Sequence, residues 1–163
     1  MEIRPVRYDH PDAALLDEQV QQEYVRRYGD GDLTPLAPEM FVPPCGLYLI
    51  AYEDGVPLAT GGWRVQEDLA EGYATGDAEI KRMFVVPQAR GRGLARRILA
   101  ALETDALAAG RTRMVLETGT EQPEALSLYA SSGYAMVEFD EKFGYYRTYE
   151  SSRCMAKQLV SAA

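Results

Sequence analysis

The spacing of apolar and polar residues along the 163-residue chain predicts strands and helices in alternation. Apolar residues recur at helical spacing over 12–28, 94–109 and 123–132, and a glycine follows each of these segments. Period-two or continuous apolar runs are typical of strands, since side chains of a strand point to its two faces in turn. They predict seven strands, over residues 2–8, 46–52, 56–65, 78–86, 113–118, 134–140 and 152–159.

The order of these elements predicts a mixed α/β fold built on one central sheet. The strands at 46–52 and 56–65 form a hairpin that turns at Glu53-Asp54-Gly55. The strand–helix–strand unit between 78 and 118 implies a right-handed crossover and a parallel pair, with the rest of the sheet antiparallel. The proline-rich segment 29–46 is predicted to be a loop with one short helical turn, which brings the helix count to about four.

Composition is that of a soluble globular protein, with 47% hydrophobic and 26% charged residues. We expect a single domain over residues 1–163, without a signal peptide or membrane span, in the cytoplasm. Cys45 and Cys154 lack metal-ligand spacing and are expected to be reduced thiols. His10 is the only histidine and is expected to cap a helix or lie at the surface, so we expect neither a metal site nor a Ser-His-Asp triad.

The distribution of charge is uneven along the chain. Its formal net charge of −8 disfavours a nucleic-acid partner. Residues 81–97 nevertheless carry six basic side chains and no acidic one. Such a small positive segment on an acidic protein favours a small anionic ligand.

The segment VVPQARGRGLARR, residues 85–97, places two glycines and four arginines between a predicted strand and a predicted helix. Free N–H groups at a helix N-terminus attract anions, and glycine lets a phosphate approach the backbone. An uncompensated cluster of arginines at this end of a helix is unfavourable unless it binds an anion. The P-loop pattern is absent, and the Rossmann pattern fails because Arg96 stands where its third glycine belongs.

The remaining pattern, Gln88-x-x-Gly91-x-Gly93, resembles the pyrophosphate loop of the GNAT superfamily of N-acetyltransferases. The surrounding residues EIKRMFVVPQARGRGLARRIL match that family's fourth strand and following helix, and LETGTEQPEALSLYASSGYAMVEF matches the next strand, helix and strand. The resemblance covers about residues 1–160 and is closest over 78–138. One departure is Gln122, where many members of the family have asparagine.

The resemblance implies a GNAT-like domain whose fourth and fifth strands splay apart, and acetyl-CoA as co-substrate, without a metal. Backbone N–H groups from Arg90 to Ala95 would hold the pyrophosphate, with charge added by Arg90 and Arg92. The pantetheine would pair with strand edge groups, and an N–H group near Met83–Val85 would polarise the thioester carbonyl. The expected cofactor-binding residues are Phe84, Val85, Val86, Arg90, Gly91, Arg92, Gly93, Leu94, Ala95, Gln122 and Tyr129.

Three residues are the candidates for proton transfer. In the family the tyrosine of the Leu-Tyr pair, here Tyr129, commonly protonates the departing thiolate. Either Glu79 or Glu117 could deprotonate the amine through a water molecule, and Glu79 is ranked first. The alternative for Glu79 is a structural ion pair with Lys81.

The acceptor pocket is expected from the first helix, the loop 29–46, the strand around Trp63, and the aromatic loop 142–149. Trp63 itself could equally be a core residue. We expect direct acetyl transfer to a primary amine of a small molecule or amino-acid-like acceptor in a ternary complex, by a monomer or homodimer. Two alternatives stay open: a non-catalytic acyl-CoA sensor, and an acetyltransferase acting on a protein N-terminus or lysine.

Overall fold

A computed structural model describes residues 1–160 and shows one seven-stranded mixed sheet flanked by helices. Within those residues, no helix is long and apolar enough to cross a membrane. The sheet order is β1-β2-β3-β4-β5-β7-β6. The strands are β1 (Glu2–Pro5), β2 (Gly46–Glu53), β3 (Val56–Val65), β4 (Asp77–Val85), β5 (Arg113–Gly119), β6 (Ala135–Met136) and β7 (Ser152–Gln158).

In the part of the chain that the structure describes, three α-helices connect the strands: α1 (Pro11–Tyr28), α2 (Leu94–Ala108) and α3 (Pro123–Ser131). Short 3₁₀ turns occur at Pro38–Phe41, Leu69–Glu71, Pro87–Ala89 and Phe139–Glu141, so the predicted helical turn within 29–46 is confirmed. His10 caps α1, since its Nδ1 accepts a 3.0 Å hydrogen bond from the N–H of Asp12. The predicted mixed α/β class is confirmed.

The pairing of β4 with β5 is parallel, and it is short. Only Asp77, Ala78 and Glu79 pair with β5, opposite Arg113 to Val115. Beyond Glu79 the two strands share no ladder pair, which is the predicted splayed pair. The other strand pairs are antiparallel, as expected.

A β-bulge interrupts β4 just beyond this point. Thr60 pairs with Phe84 and Gly62 pairs with Lys81, so that Arg82 and Met83 both lie opposite Gly61. Arg82 has a φ of 60°, in the left-handed region that side chains rarely adopt. A bulge of this kind bends a strand and changes the direction of the backbone groups that follow it.

The core fills both sides of the sheet. A Cβ atom at Gly61 would meet Met83 and Ile98 of α2, whereas one at Gly62 would meet Tyr48 and Phe41. Because adjacent residues of a strand point to opposite faces, α2 and the Pro38–Phe41 turn cover opposite faces of the sheet. Trp63 is fully buried and its Nε1 donates a 2.8 Å hydrogen bond to Asp105 of α2. Trp63 is therefore a core residue, and the expectation that it lines the acceptor pocket is wrong.

Candidate active site

A cavity of about 270 Å³ opens where β4 and β5 separate. β4 and β5 form its floor, and the other walls come from α1, the loop after it, the start of α3 and the aromatic loop before β7. This location agrees with the predicted acceptor pocket, apart from Trp63. Its polar and aromatic lining residues include Tyr24, Tyr28, Asp32, Lys81, Arg82, Glu117, Gln122, Tyr129, Tyr146 and Tyr149.

Glu117 lines this cavity from the end of β5. Its Oε2 accepts a 3.0 Å hydrogen bond from the backbone N–H of Tyr146 and a 3.3 Å bond from the Ser152 hydroxyl. Neither bond uses Oε1. Burial raises the pKa of Glu117 to about 7, with Lys81 opposing and Glu79 adding to the shift. A carboxylate with a pKa near neutrality, facing a cavity, is suited to accept a proton.

Glu79 lies outside the cavity lining, in the interior beside β3. It is 1% exposed, and both of its oxygens are engaged. Oε1 accepts a 2.9 Å bond from Nε of Arg64, and Oε2 accepts a 2.9 Å bond from the Tyr73 hydroxyl. The ranking of Glu79 above Glu117 is therefore wrong. Glu79 forms a structural ion pair, as the alternative prediction held, but its partner is Arg64 rather than Lys81.

Tyr129 of α3 is 5% exposed and lines the cavity. Its ring packs edge-on against that of Tyr134, with ring centroids 5.5 Å apart. No described residue forms a hydrogen bond with its hydroxyl, and burial raises the pKa of Tyr129 above its ordinary value. The phenol therefore stays protonated at neutral pH and has its proton available for a ligand.

Gln122 precedes α3 and lines the cavity beside Tyr129. Its Oε1 accepts hydrogen bonds from the hydroxyls of Tyr28, at 3.1 Å, and Thr118, at 3.3 Å. The carboxamide oxygen is thus occupied within the chain. Any contact of Gln122 with a ligand would use the Nε2 donor.

The glycine-arginine loop forms an open cradle at the N-terminus of α2. Gly91 and Gly93 have φ values of 79° and 75°, and a Cβ atom on either would point into open space. These glycines are therefore needed for backbone conformation, and the space above them is free for a ligand. Within residues 1–160, no backbone N–H group from Gly91 to Arg96 has a hydrogen-bond partner. The expectation for the N–H of Arg90 is wrong, because it donates a 3.3 Å bond to the carbonyl of Pro87. Free donors at a helix N-terminus fit a pyrophosphate.

The basic side chains of 81–97 do not form one exposed cluster. Lys81 and Arg82 are buried and paired with Asp32. Arg90 pairs with Glu23 at 3.0 Å, and Arg92 pairs with Glu53. The expectation that these arginines lack a negative partner is therefore wrong for Arg90 and Arg92. Both side chains nevertheless remain more than 40% exposed.

The strand edge predicted to pair with the pantetheine is partly occupied by the chain itself. The N–H of Val86 donates a 2.9 Å bond to the carbonyl of Leu58, and its carbonyl accepts a 2.9 Å bond from Ala89. The expectation for Val86 is wrong, because both of its backbone groups are already bonded. The carbonyl of Val85 accepts a 3.0 Å bond from Nε of Arg90, whose guanidinium lies 5.8 Å from the ring centroid of Phe84.

Asp32 connects the walls of the cavity and was missed in the sequence. Its carboxylate accepts hydrogen bonds from Lys81 at 2.8 Å, from the Tyr146 hydroxyl at 3.1 Å, and from Arg82. Burial alone would raise the pKa of Asp32, but the charges of Lys81 and Arg82 outweigh it and lower the pKa. In the sequence, Asp30 and Asp32 both lie in the predicted loop, and no local pattern distinguishes Asp32 as the residue that connects the walls.

The fold, the splayed strands, the bulge and the glycine cradle together define an acyltransferase-like site. The family model "Acetyltransferase (GNAT) family" matches residues 13–134. The chain belongs to this family, which confirms the resemblance found in the sequence and, at the level of the family, the acyltransferase class.

Known proteins agree with this assignment. An IAA acetyltransferase from Azospirillum brasilense is 39% identical over 88 residues, which is 54% of each chain. The chain thus spans about half the length of that curated relative. A protein assigned as an acyl-CoA N-acyltransferase from Klebsiella pneumoniae is 26% identical, with a TM-score of 0.76 and coverage of 98% of this chain and 97% of that one.

A more distant structure shares the fold. N-acetylglutamate synthase from Neisseria gonorrhoeae, determined with coenzyme A and N-acetyl-glutamate, is 17% identical with a TM-score of 0.69. The match covers 99% of this chain and 36% of that one. At this identity the likeness concerns the fold alone.

Proposed function

We propose that the protein is a single-domain N-acetyltransferase that moves an acetyl group from acetyl-CoA to a primary amine of a small molecule. One observation carries the proposal: within residues 1–160, a carboxylate of near-neutral pKa, Glu117, and a phenol without a hydrogen-bond partner, Tyr129, line one cavity, and the strand that forms its floor leads into a helix with free N-terminal N–H groups. The base would take the proton of the amine, the acid would protonate the departing thiolate, and the helix N-terminus would bind the phosphates of the acetyl donor.

The loop supports binding of acetyl-CoA, which would supply an activated acetyl group as a thioester. Among the described residues, the N–H groups from Gly91 to Ala95 have no hydrogen-bond partner, and the N-terminus of α2 carries the partial positive charge that favours phosphate. Arg90 and Arg92 add charge at the edge of this cradle. Each arginine would exchange or share its present carboxylate partner when an anion binds.

Glu117 is proposed as the general base. An amine attacks only as the free base, so a proton must leave its nitrogen before or during attack. Oε1 of Glu117 lies against Gly144 and accepts no bond from Tyr146 or Ser152, and it would take that proton, directly or through a water molecule. Its pKa of about 7 means that a large fraction is ionised at neutral pH while the carboxylate keeps useful basicity.

Tyr129 is proposed as the general acid. When the carbon–sulfur bond breaks, the electron pair stays on sulfur, and the Tyr129 hydroxyl would donate the proton that produces the thiol. Because burial raises the pKa of Tyr129, the phenol is a weak acid, and its placement in the cavity must compensate. At the other end of the site, an N–H group near Met83–Val85 would stabilise the negative charge that develops on the acyl oxygen.

The enclosed acceptor side supports a small acceptor. The loop after α1 closes on the aromatic loop, because the Tyr146 hydroxyl accepts a 2.6 Å bond from the N–H of Leu33 and donates to Asp32. A cavity of about 270 Å³ behind this closure suits a small molecule or an amino-acid-like amine. The cytoplasmic location and the monomeric or dimeric state stay predictions from sequence.

Two assays test the proposal. Acetyl-CoA should raise the melting temperature of the protein, whereas NAD and ATP at equal concentration should not. Release of thiol from acetyl-CoA should then depend on one class of amine in a panel of polyamines, amino acids, aminoglycosides and short peptides. Binding without amine-dependent thiol release would support the sensor instead, and a response to peptides alone would support the protein-modifying alternative.

A further inference from the structure

The left-handed residue of the β4 bulge is an arginine. Position 82 has a φ of 60° and lies with Met83 opposite Gly61, in a type of bulge where glycine commonly occupies the left-handed position. A side chain at such a φ is strained because its Cβ crowds the backbone. A residue with a long charged side chain persists there only if the surrounding structure holds it in place.

Two carboxylates from different elements hold the Arg82 side chain in place. Nε of Arg82 donates a 2.6 Å hydrogen bond to Oδ1 of Asp17 in α1, and Nη1 donates to Oδ2 of Asp32 in the loop after α1. Arg82 is 5% exposed, so solvent screens these ion pairs little. Burial alone would lower the pKa of Arg82, but Asp32 and Asp17 outweigh it, and the guanidinium stays charged.

The bulge lies just beyond the point where β4 separates from β5, so its geometry sets the direction of the backbone N–H groups that follow. β4 loses its ladder with β5 after Glu79, so the strand has no neighbour on that side to fix the direction of its later N–H groups. Met83, the next residue after Arg82, lines the cavity. Hydrogen-bond donors in a catalytic site must be held to within a fraction of an ångström of the charge they stabilise.

We propose that Arg82 is a positioning residue: its ion pairs with Asp17 and Asp32 hold the strained bulge so that the following backbone N–H groups point at the acyl oxygen. This inference rests on the proposed function, because it assumes acetyl transfer in this cavity. Asp32 also binds the Tyr146 hydroxyl, so the same carboxylate joins closure of the acceptor loops to the geometry of the bulge.

The test compares Arg82→Ala with Arg82→Gly. The two variants lack the same ion pairs and differ only in the Cβ atom, but glycine adopts a φ of 60° without strain. We expect Arg82→Ala to lower kcat at least tenfold, with the KM for acetyl-CoA changed less than about twofold, because donors misdirected at the acyl oxygen weaken binding of the transition state. Arg82→Gly should recover a substantial part of that loss.

A matched control is available at Asp54, which has a φ of 52° in the turn between β2 and β3. Asp54→Gly should melt higher than Asp54→Ala for the same reason of strain, but both should keep the kcat of the unmodified protein. Equal kcat for Arg82→Ala and Arg82→Gly would overturn the inference. A loss confined to the KM of the amine would also overturn it, since that result indicates direct contact of Arg82 with the acceptor.

A measurement without catalysis separates this inference from the proposed function. Amide hydrogen exchange at residues 82–85 should be fastest in Arg82→Ala, intermediate in Arg82→Gly and slowest in the unmodified protein. If the unmodified protein releases no thiol with any amine, the proposed function fails. In that case the exchange order alone decides whether Arg82 holds the bulge, and equal exchange in all three proteins would refute it.

Discussion

The backbone N–H of Tyr146 donates a 3.0 Å hydrogen bond to Oε2 of Glu117, across 29 residues of sequence. This bond, with that from Ser152, fixes one carboxylate oxygen and leaves the other without either contact. A Cβ atom at Gly144 would collide with the same carboxylate, so the aromatic loop can lie against Glu117 only because a glycine stands there. The loop therefore orients the proposed base while forming a wall of the cavity.

The pH dependence of the reaction should follow Glu117. The ionised form is the base, so we expect kcat/KM to fall tenfold per pH unit below about pH 7, the pKa of Glu117, and to level off above it. Glu117→Gln should lower kcat by about 10²-fold or more and remove this inflection. A pH–rate profile of both proteins checks the prediction, with the exposed Glu121→Gln as control.

The pH dependence of folding stability provides a second test of Glu117. Because folding raises the pKa of Glu117 from 4.5, its favourable contribution to stability is present below pH 4.5 and is lost as the pH rises through about 7. Glu117→Gln should therefore melt no lower than the unmodified protein at pH 8. A lower melting temperature there, or an unchanged pH–rate inflection, would contradict the assignment.

Tyr129→Phe should separate chemistry from binding. The Tyr129 hydroxyl has no partner among the described residues, so its removal leaves no protein group unsatisfied and should change the melting temperature little. We expect kcat to fall about 10²-fold while the dissociation constant of acetyl-CoA stays within about threefold. Single-turnover thiol release and calorimetry measure the two quantities. Unchanged turnover would remove Tyr129 from the general-acid role.

The glycine cradle can be tested against a matched position. Gly93→Ala should cost about 1 kcal/mol of folding free energy, because a Cβ atom is strained at a φ of 75°. It should also weaken acetyl-CoA binding about tenfold or more, since the Cβ would enter the space above the free N–H groups.

Gly110→Ala is the control for this effect. Its φ is 86°, and an added Cβ meets nothing within 4 Å, but the residue follows the far end of α2. The two variants should lose similar stability, and only Gly93→Ala should lose affinity for acetyl-CoA by calorimetry. Equal affinity of both variants would show that the cradle does not bind the phosphates.

Glu53 should compete with the ligand for Arg92. Their ion pair is exposed at both ends, with 42% of each side chain accessible, so solvent screens it and Arg92 can exchange this partner for a phosphate. Glu53→Gln should release Arg92 and tighten acetyl-CoA binding by about two- to fivefold at low salt, with the gain shrinking as salt is added. Titrations at two ionic strengths check this, and weaker binding by Glu53→Gln would contradict a phosphate role for Arg92.

Much of the fold follows from local patterns in the sequence. The α-helices α1, α2 and α3 begin and end within two residues of the predicted bounds, because prolines in the first turn of α1 and α3 and glycines after each helix mark these ends. The predicted strand 134–140 reduces to Ala135–Met136. Apolar and polar residues continue to alternate beyond Met136, but the chain turns at Phe139–Glu141. This turn lets Lys142 and Phe143 become buried next to β7.

The proposed base, Glu117, could not be chosen over Glu79 from sequence, because the choice depends on pairing between distant residues. Glu79 alternates correctly for the cleft, but the register of β3 on β4 places Arg64 directly opposite it, and Tyr73 occupies its second oxygen. Asp32 and Arg82 were missed for the same reason. Their roles depend on a bulge and on a loop closure that no local pattern encodes.

If this cavity transfers an acetyl group to an amine, release of thiol and formation of an amide must occur together in one reaction. Acetyl-CoA carrying a ¹³C label in its acetyl carbonyl would be incubated with the amine panel, and thiol and labelled amide would be quantified together. We expect equimolar thiol and N-acetylated product with the unmodified protein, and about 10²-fold less of both with Glu117→Gln. Tight binding of acetyl-CoA with no labelled amide from any amine would contradict it.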